Sequence, residues 1–241
     1  MLILENITWR VPDGEQILKG VDLVIPSGGL TVITGPNGGG KTSLAKIVAG
    51  LITADSGRII LDGEDLTGLS ITERAKKGVG YAFQQPVRFK GITVRDLLEL
   101  AAGHTLSDPE LCEVLGSVGL CPHDYIDREV STGLSGGEIK RIEIATVLAR
   151  HDTKLTIFDE PEAGIDLWSF AGLIEAFQKL KGKNSGSILI ISHQERILNI
   201  ADEIVVIADG KVKARGSRQE IMPTLLADEK AEHCPRGKEV Y

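Results

Sequence analysis

The chain has 241 residues, 42% of them hydrophobic, which is enough for a sizeable core in one large domain or in one domain with an inserted subdomain. Its formal net charge of −7 disfavours nucleic acid as a partner, because proteins that bind duplexes are usually basic. Three widely spaced cysteines, Cys112, Cys121 and Cys234, do not predict a disulfide framework. No segment resembles a signal peptide or a membrane-spanning helix, so we expect a cytoplasmic protein without direct membrane insertion.

The first fifty residues predict strands followed by a helix. Residues 2–9 and 15–25 have the composition of two strands, and Pro12-Asp13-Gly14 between them is typical of a turn. Residues 30–34 form an apolar, β-branched run, and residues 43–49 have a helical pattern. Only 4% of the residues are aromatic, so the core must rest on Ile, Leu, Val and Ala, which suits a parallel sheet covered by helices.

Strands and helices alternate through the rest of the chain. Residues 93–130 have helical periodicity and predict a small helical insertion. The other predicted elements are, in order, a strand at 58–61, a helix at 70–77, a strand at 79–83, a helix after residue 138, a strand at 155–158, a helix at 166–180, and strands at 187–192, 203–208 and 211–215. The tail from residue 222 to residue 241 could hold one helix.

A phosphate-binding loop of the form G-x-x-x-x-G-K-[ST] lies between the strand at 30–34 and the following helix. The loop and the serine after it are Gly35, Pro36, Asn37, Gly38, Gly39, Gly40, Lys41, Thr42 and Ser43. Glycines let successive N–H groups point inward at a triphosphate, and the start of the helix adds its own N–H groups and positive dipole end. We expect Lys41 to reach the β and γ phosphates of ATP and Thr42 to ligate Mg²⁺.

The loop and the alternating elements predict an α/β fold. We expect a P-loop NTPase core, in which helices cover a mostly parallel sheet, with an N-terminal antiparallel β-subdomain and a small inserted helical subdomain. Asp62-Gly63, after the strand at 58–61, is a hairpin signal that suits the antiparallel part. One ATPase domain is expected over residues 1–220, with the helical subdomain inserted at about 91–150, and residues 221–241 form a short tail.

Two adjacent carboxylates, Asp159 and Glu160, end an apolar strand. Side chains alternate along a strand, so the two acids need not point the same way. We assign Asp159 to the Mg²⁺ side and Glu160 to the attacking water, as general base. The alternative is a solvated acidic strand end, which the phosphate loop upstream disfavours.

A second element suited to phosphate lies where a serine and two glycines precede a helix. Ser135, Gly136 and Gly137 offer a hydroxyl and bare backbone N–H groups that could hold a γ-phosphate. Taken alone, the segment is equally well explained as a simple helix N-cap. Together with the phosphate loop, it suggests that the nucleotide is gripped from two sides.

From residue 2 to about residue 220, the chain resembles the ATP-binding-cassette (ABC) ATPases, so its fold is expected to be their nucleotide-binding domain. The phosphate loop resembles the Walker A motif, and Asp159-Glu160 resembles the Walker B pair. Residues 134–138 resemble the signature motif, with Glu138 where glutamine is commoner. Further matches are Gln84 for the Q-loop, Gly164-Ile165-Asp166 for the D-loop, His193 for the switch histidine and Trp9 for the ring that stacks on adenine.

The resemblance implies that two copies form a head-to-tail dimer, with two ATP molecules and their Mg²⁺ ions between them. One chain would supply Lys41, Thr42, Gln84, Asp159, Glu160 and His193 to each site. The other chain would supply Ser135 and Gly137, and Gly136, Glu138 and Asp166 are also expected at the nucleotide. Gln84 is implied as a further Mg²⁺ ligand. Trp9 could instead pack on the sheet edge, and Gln85 leaves the register of Gln84 open.

The partner that this ATPase drives is a separate question. Residues 83–92, 134–141 and 192–198 resemble the matching stretches of the SUF-type ATPases of iron–sulfur cluster assembly, so we expect a SUF-like scaffold protein as partner. Two departures are the Thr42-Ser43 order in the phosphate loop and the transporter-like Pro161. The alternative is the nucleotide-binding subunit of an ABC membrane transporter, bound to a permease. A DNA-repair or translation ATPase is disfavoured by the acidic charge and the single cassette.

Two cysteines lie near histidines, in Cys121-Pro122-His123 and in His233-Cys234-Pro235. No C-x-x-C spacing exists, and adjacent thiol–imidazole pairs are poor chelates. We therefore do not expect this chain to hold a metal through its cysteines. If a cluster is carried, the scaffold is expected to supply most of its ligands.

Overall fold

A computed structural model of the chain describes residues 1–84, 89–131, 133–150, 152–183 and 186–232. The strands are β1 (Leu2–Arg10), β2 (Gln16–Ile25), β3 (Leu30–Thr34), β4 (Ser56–Leu61), β5 (Glu64–Asp65), β6 (Val79–Ala82), β7 (Leu155–Asp159), β8 (Ser187–Ile191), β9 (Glu203–Ala208) and β10 (Lys211–Ser217). The helices are α1 (Lys41–Ala49), α2 (Ile71–Lys76), α3 (Val94–Ala102), α4 (Asp108–Ser117), α5 (Pro122–Tyr125), α6 (Gly136–Leu148), α7 (Leu167–Lys183), α8 (Glu195–Leu198) and α9 (Arg218–Glu232).

The central sheet has six strands in the order β10-β9-β3-β8-β7-β6. The strands from β9 to β6 pair in parallel, and β10 joins the edge as the antiparallel partner of β9. Every residue of β3, β7 and β8 is buried. Strands covered on both faces must be apolar throughout, which explains their continuous hydrophobic sequence.

The second sheet is antiparallel, with four strands in the order β2-β1-β4-β5. It packs with α1 on one face of the central sheet, in a core that includes Leu2, Val21, Ile47 and Ile157. On the opposite face, a second core joins α6, α7 and the inserted helices, and Phe158 meets Phe177 edge to face there. Neighbouring residues of β7 thus serve opposite cores, as strand alternation requires.

The inserted helices α3, α4 and α5 lie between β6 and α6, and both α3 and α4 pack against α6. The predicted fold class is confirmed: a mostly parallel sheet with helices, an antiparallel β-subdomain and a helical insertion. The limits predicted for that insertion and for the C-terminal tail stay predictions. Within the described residues, α9 begins at Arg218, and the N–H and hydroxyl of the preceding Ser217 both donate to the Glu220 carboxylate.

The short helix α8 was not predicted from the sequence, because its four residues are too few for a period of 3.6 residues to be recognised. The two-residue strand β5 was implied only by the hairpin signal at Asp62-Gly63, across which it pairs with β4. No helix in the described part of the chain is long and apolar enough to cross a membrane.

Candidate nucleotide-binding site

The phosphate loop connects β3 to α1 and packs closely on β9. Gly35 has φ +131°, and a Cβ atom there would lie 2.2 Å from the carbonyl oxygen of Ile207. A Cβ on Gly39 would lie 2.7 Å from the same oxygen. Only glycine fits this approach, so the loop can curl with its N–H groups turned towards a phosphate.

Lys41 is 7% exposed and folds back over the loop. Its Nζ donates to the carbonyls of Gly35 at 2.7 Å and Pro36 at 2.8 Å. Burial lowers the pKa of Lys41, and the nearby Glu160 and Asp159 carboxylates oppose that effect. The ammonium is therefore already held at the loop where a triphosphate would lie.

Thr42 and Asp159 fit the predicted Mg²⁺ site. Thr42 Oγ1 donates to Asp159 Oδ1 at 3.1 Å, so two hard oxygen donors of the kind that Mg²⁺ prefers are adjacent. Asp159 is fully buried at the end of β7, and its Oδ2 accepts a hydrogen bond from Tyr81 at 2.8 Å. Burial, with the Asp159 charge, raises the pKa of the Tyr81 hydroxyl, so Tyr81 stays a donor.

A cavity of about 280 Å³ opens above the loop. Its walls bring together three regions that are remote in sequence: the β1–β2 end of the antiparallel sheet, the phosphate loop and the end of β7. The lining residues are Trp9, Val11, Ile17, Asn37, Gly38, Gly39, Gly40, Lys41, Thr42, Ser43 and Glu160. Trp9 thus lines the same cavity as the loop, and its predicted stacking on adenine stays a prediction.

Glu160 follows β7 in a left-handed conformation, with φ +46°, which is uncommon for a residue with a side chain. Its N–H donates to the carbonyl of Ile191, and its Oε2 accepts a hydrogen bond from Gln84 Nε2 at 2.6 Å. Gln84 follows β6, the neighbour of β7 in the sheet. Two residues predicted to act on the γ-phosphate are therefore in direct contact.

His193 lies just beyond the end of β8 and is exposed. The preceding residue, Ser192, is buried and donates to Glu162 Oε1 at 2.5 Å. Burial raises the pKa of Glu162, and His193 is close enough to oppose that effect. The β8 end that carries His193 is thus tied to the segment after Glu160.

The signature motif is built as a helix N-terminus. Ser135 caps α6 by a capping box with Glu138, since Ser135 N–H donates to Glu138 Oε2 at 2.7 Å and Glu138 N–H donates to Ser135 Oγ at 3.2 Å. Glu138 also accepts a hydrogen bond from the Tyr125 hydroxyl. Hydrogen bonds from Tyr125 and then Ser135 lower the pKa of Glu138 to about 2. Its carboxylate is engaged within its own chain.

The signature residues are not in the cavity. Ser135, Gly136, Gly137 and Glu138 are absent from its walls, as is Asp166 of the D-loop. The two motifs adjoin each other, because a Cβ on Gly137 would lie 3.0 Å from the carbonyl oxygen of Gly164. The contributions predicted for these residues to a nucleotide stay predictions.

Sequence reasoning missed several residues of the site. Tyr81, which binds Asp159, stands in a strand of ordinary composition, and Val11 and Ile17 look like ordinary apolar residues. Cys112 and Cys121 are free and exposed, and the described residues contain no cluster of His, Cys, Asp and Glu suited to a metal ion. Gln85–Arg88 and the pair His233-Cys234 lie outside the described residues.

Comparisons with known proteins bear on the family and the fold of the chain. A family model described as ABC transporter matches residues 18–163. An uncharacterised ABC transporter ATP-binding protein of Methanocaldococcus jannaschii is 39% identical over 215 residues, which are 86% of this chain and 85% of that protein.

Two solved structures have similar folds. The crystal structure of a nucleotide-free ATP-binding cassette from an ABC transporter gives a TM-score of 0.80 at 28% identity and covers 97% of each chain. A dimeric cassette in a post-hydrolysis state, bound to ADP and Pi, gives a TM-score of 0.80 at 22% identity and covers 90% of this chain and 99% of that one.

Proposed function

The chain belongs to the ABC family of ATPases, which bind and hydrolyse ATP with Mg²⁺, and we propose that it is the nucleotide-binding subunit of a membrane transporter. The observation that best supports this role is the relative from Methanocaldococcus jannaschii. The two chains match over most of their lengths, and the relative is named as an ABC transporter ATP-binding protein. The subunit works as a head-to-tail dimer with ATP at the interface.

The arrangement within one chain supports a separate role in ATP hydrolysis for each residue around the γ-phosphate. Lys41 and the loop N–H groups bind the phosphates, and Thr42 and Asp159 hold Mg²⁺, which neutralises phosphate charge. Glu160 is the general base for the attacking water, and its hydrogen bond with Gln84 fixes its orientation. His193 and the partner's signature motif contact the γ-phosphate, so its loss on hydrolysis removes contacts that hold the dimer closed.

An apolar groove beside Gln84 supports a docked partner. We call it the docking groove; it has a volume of about 200 Å³ and is lined mainly by Phe83, Phe89, Leu97, Leu100, Ile139 and Ile142. Leu100 is 73% exposed, and Phe89 is 37% exposed. Exposed apolar surface that continues into a groove is typical of a binding site. The occupant is an apolar helical segment of the transporter's membrane subunit, and Phe83 links the groove directly to Gln84.

Purification from native membranes in detergent tests this role. The full-length chain is expected to retain a polytopic membrane protein, identified by mass spectrometry, in stoichiometric amount. Leu100→Glu should lose that protein while keeping ATP binding, because a charge is costly in an apolar contact. Ile71→Glu is the matched control, since Ile71 is a 45% exposed apolar residue on α2, which does not line the groove. A transporter role is excluded if the stoichiometric partner is a soluble protein.

Iron–sulfur cluster assembly is the second candidate function. It is favoured by the sequence likeness of residues 134–141 and 192–198 to SUF-type ATPases. The family and its relatives are named for transport, so the transporter role accounts for them better. A soluble β-helical scaffold as the stoichiometric partner, retained by the wild-type chain and lost with Leu100→Glu, would support this second candidate.

A further inference from the structure

Lys140 is a buried cation on α6, the helix that begins at the signature motif. Its side chain is 1% exposed. An ammonium that loses its hydration is costly unless polar groups of the protein replace the water. Burial lowers the pKa of Lys140, and the carboxylate of Glu143 opposes that effect. The role of Lys140 therefore follows from the polar groups that contact its Nζ.

The acceptors of Lys140 belong to the segment that leads from β6 to Gln84. Its Nζ donates to the carbonyl of Phe83 and lies 3.4 Å from the carbonyl oxygen of Gln84. Nζ also lies 3.3 Å from Glu143 Oε2, and Glu143 Oε1 accepts the N–H of Phe83 at 2.6 Å. Lys140 and Glu143, one turn apart on α6, hold both backbone polar groups of Phe83.

Phe83 is the residue before Gln84, and Gln84 donates to Glu160. A shift of the Phe83 backbone would therefore move the Gln84 amide away from the Glu160 carboxylate. The partners on α6 thus fix where Gln84 lies relative to Glu160. The N-terminus of the same helix is capped by Ser135, which under the proposed function serves the ATP bound by the partner chain.

We propose that Lys140 and Glu143 form a positioning clamp that holds Gln84 against Glu160 and joins this pair to the signature helix. The clamp rests on the proposed roles of Gln84 and Glu160 and does not depend on which partner the subunit serves. Neither Lys140 nor Glu143 lines the nucleotide cavity, so they act through Gln84 and do not touch ATP.

A double variant, Lys140→Met with Glu143→Leu, separates positioning from stability. Replacing a buried ion pair by apolar residues of similar size often leaves a protein equally stable, so this variant is expected to fold. Without the clamp, kcat for ATP should fall by about ten- to a hundredfold, as misplacement of catalytic groups commonly causes. The KM for ATP and the rise in Tm on adding ATP should not change, because the phosphate loop is intact.

The matched control is Arg215→Met with Glu203→Leu, an ion pair between β10 and β9 at the opposite edge of the central sheet. It should leave kcat unchanged. Normal kcat in the folded clamp variant would overturn the proposal, as would a fall in kcat matched by an equal rise in KM.

Single substitutions decide the question if the double variant does not fold. Lys140→Arg keeps a cationic donor and Lys140→Met does not, while both keep a long side chain. The clamp predicts that the arginine variant retains more of kcat, and equal values would contradict it. Glu160→Gln separates this test from the proposed function. If Glu160→Gln hydrolyses ATP normally, the proposed role of Glu160 is wrong. If Glu160→Gln is inactive but the clamp variant has normal kcat, only the clamp proposal is wrong.

Discussion

At the scale of single residues, the nucleotide site is set up by hydrogen bonds within the chain. Lys41 is held by two carbonyls of its own loop, and Asp159 accepts one hydroxyl on each carboxylate oxygen. Glu160 is held by Gln84. Groups that are already oriented lose little conformational freedom when a ligand arrives, so the site is preorganised for a triphosphate with Mg²⁺.

Glu160→Gln should keep ATP binding, lower turnover by about a thousandfold and trap an ATP-bound dimer. A glutamine fills the same space but cannot take a proton from water, and general bases commonly contribute a factor of this order. Steady-state hydrolysis and gel filtration with ATP and Mg²⁺ measure the two effects. Glu162→Gln is the control, because its side chain can still accept the hydrogen bond from Ser192. A Glu160→Gln chain that hydrolyses ATP normally would remove Glu160 as the base.

At the scale of elements, the end of α1 depends on a buried arginine from α2. Arg74 is 3% exposed and donates to the carbonyls of Ile47 and Val48 in the last turn of α1. It also donates to the carbonyls of Leu69 and Thr67. Carbonyls at a helix C-terminus have no partner within the helix; Ile47 also accepts the N–H of Gly50, so Arg74 is a second donor to Ile47 and a side-chain donor to Val48. The helix that carries Lys41 and Thr42 is thereby fixed at its far end.

Arg74→Met should lower the free energy of unfolding by about 3 kcal/mol, because several buried carbonyls lose their donor. Denaturant unfolding monitored by circular dichroism measures the change. Arg58→Met is the control, since the ion pairs of Arg58 with Glu5 and Asp65 are exposed. Exposed pairs contribute little, so the control should change stability by less than about 1 kcal/mol. Equal losses in the two variants would refute this role for Arg74.

The start of α6 should make stability depend on acid pH. The folded-state pKa of Glu138, about 2, lies below its ordinary value of 4.5, so its stabilising effect is complete above pH 4.5 and is lost as the pH falls towards 2. Glu138→Gln should therefore lower Tm by about 2–4 °C at pH 7, a shift typical of a lost cap of about 1 kcal/mol in a chain of this size. The difference between the two Tm values should shrink between pH 4.5 and pH 2.

Tyr125→Phe is the companion variant for the pH range over which the stabilising effect of Glu138 is lost. It removes the hydroxyl that donates to Glu138, so the Glu138 carboxylate should titrate at a higher pH and that pH range should narrow. A Tm difference between wild type and Glu138→Gln that stays constant from pH 7 to pH 2 would show that the charge of Glu138 contributes nothing.

At the scale of the whole molecule, the cavity contains only some of the residues predicted to meet ATP. The cavity has the phosphate loop, Trp9 and Glu160 in its walls, whereas the signature residues at the start of α6 lie outside it. The signature and D-loop segments adjoin each other at Gly137 and Gly164. Under the proposed head-to-tail dimer, each ATP completes its contacts with groups of the partner chain.

Mixing two inactive variants tests that arrangement. Lys41→Ala removes the cation of the phosphate loop, and Ser135→Arg blocks the signature motif with a bulky side chain. In a mixed head-to-tail dimer, one site carries both defects and the other carries neither, so hydrolysis should partly recover. Lys41→Ala mixed with Glu160→Gln should not recover, because both changes lie on the same half of each site and no site is intact. The head-to-tail dimer would be contradicted if the first mixture stays as inactive as its components.

The fold class and most of the candidate site could be predicted from the sequence, because their signals are local. The order strand, glycine-rich loop, helix identifies the phosphate loop, and continuous apolar runs identify the strands that end at Asp159 and shortly before His193. Parallel strands that follow one another in a sheet then bring those ends to one edge. The limits of short elements such as α8 could not be predicted, since four residues carry no recognisable period.

The sequence by itself determined that the chain is an ATPase and predicted which residues meet the nucleotide, whereas only the tertiary structure decided what holds those residues in place. Lys140 meets Phe83 across 57 positions, Tyr81 meets Asp159 across 78, and Arg74 meets Ile47 across 27. No spacing rule encodes such pairs, because a buried lysine, tyrosine or arginine finds its acceptors only when the sheet and helices pack. The support of the site is therefore a property of the folded chain, and its motifs are a property of the sequence.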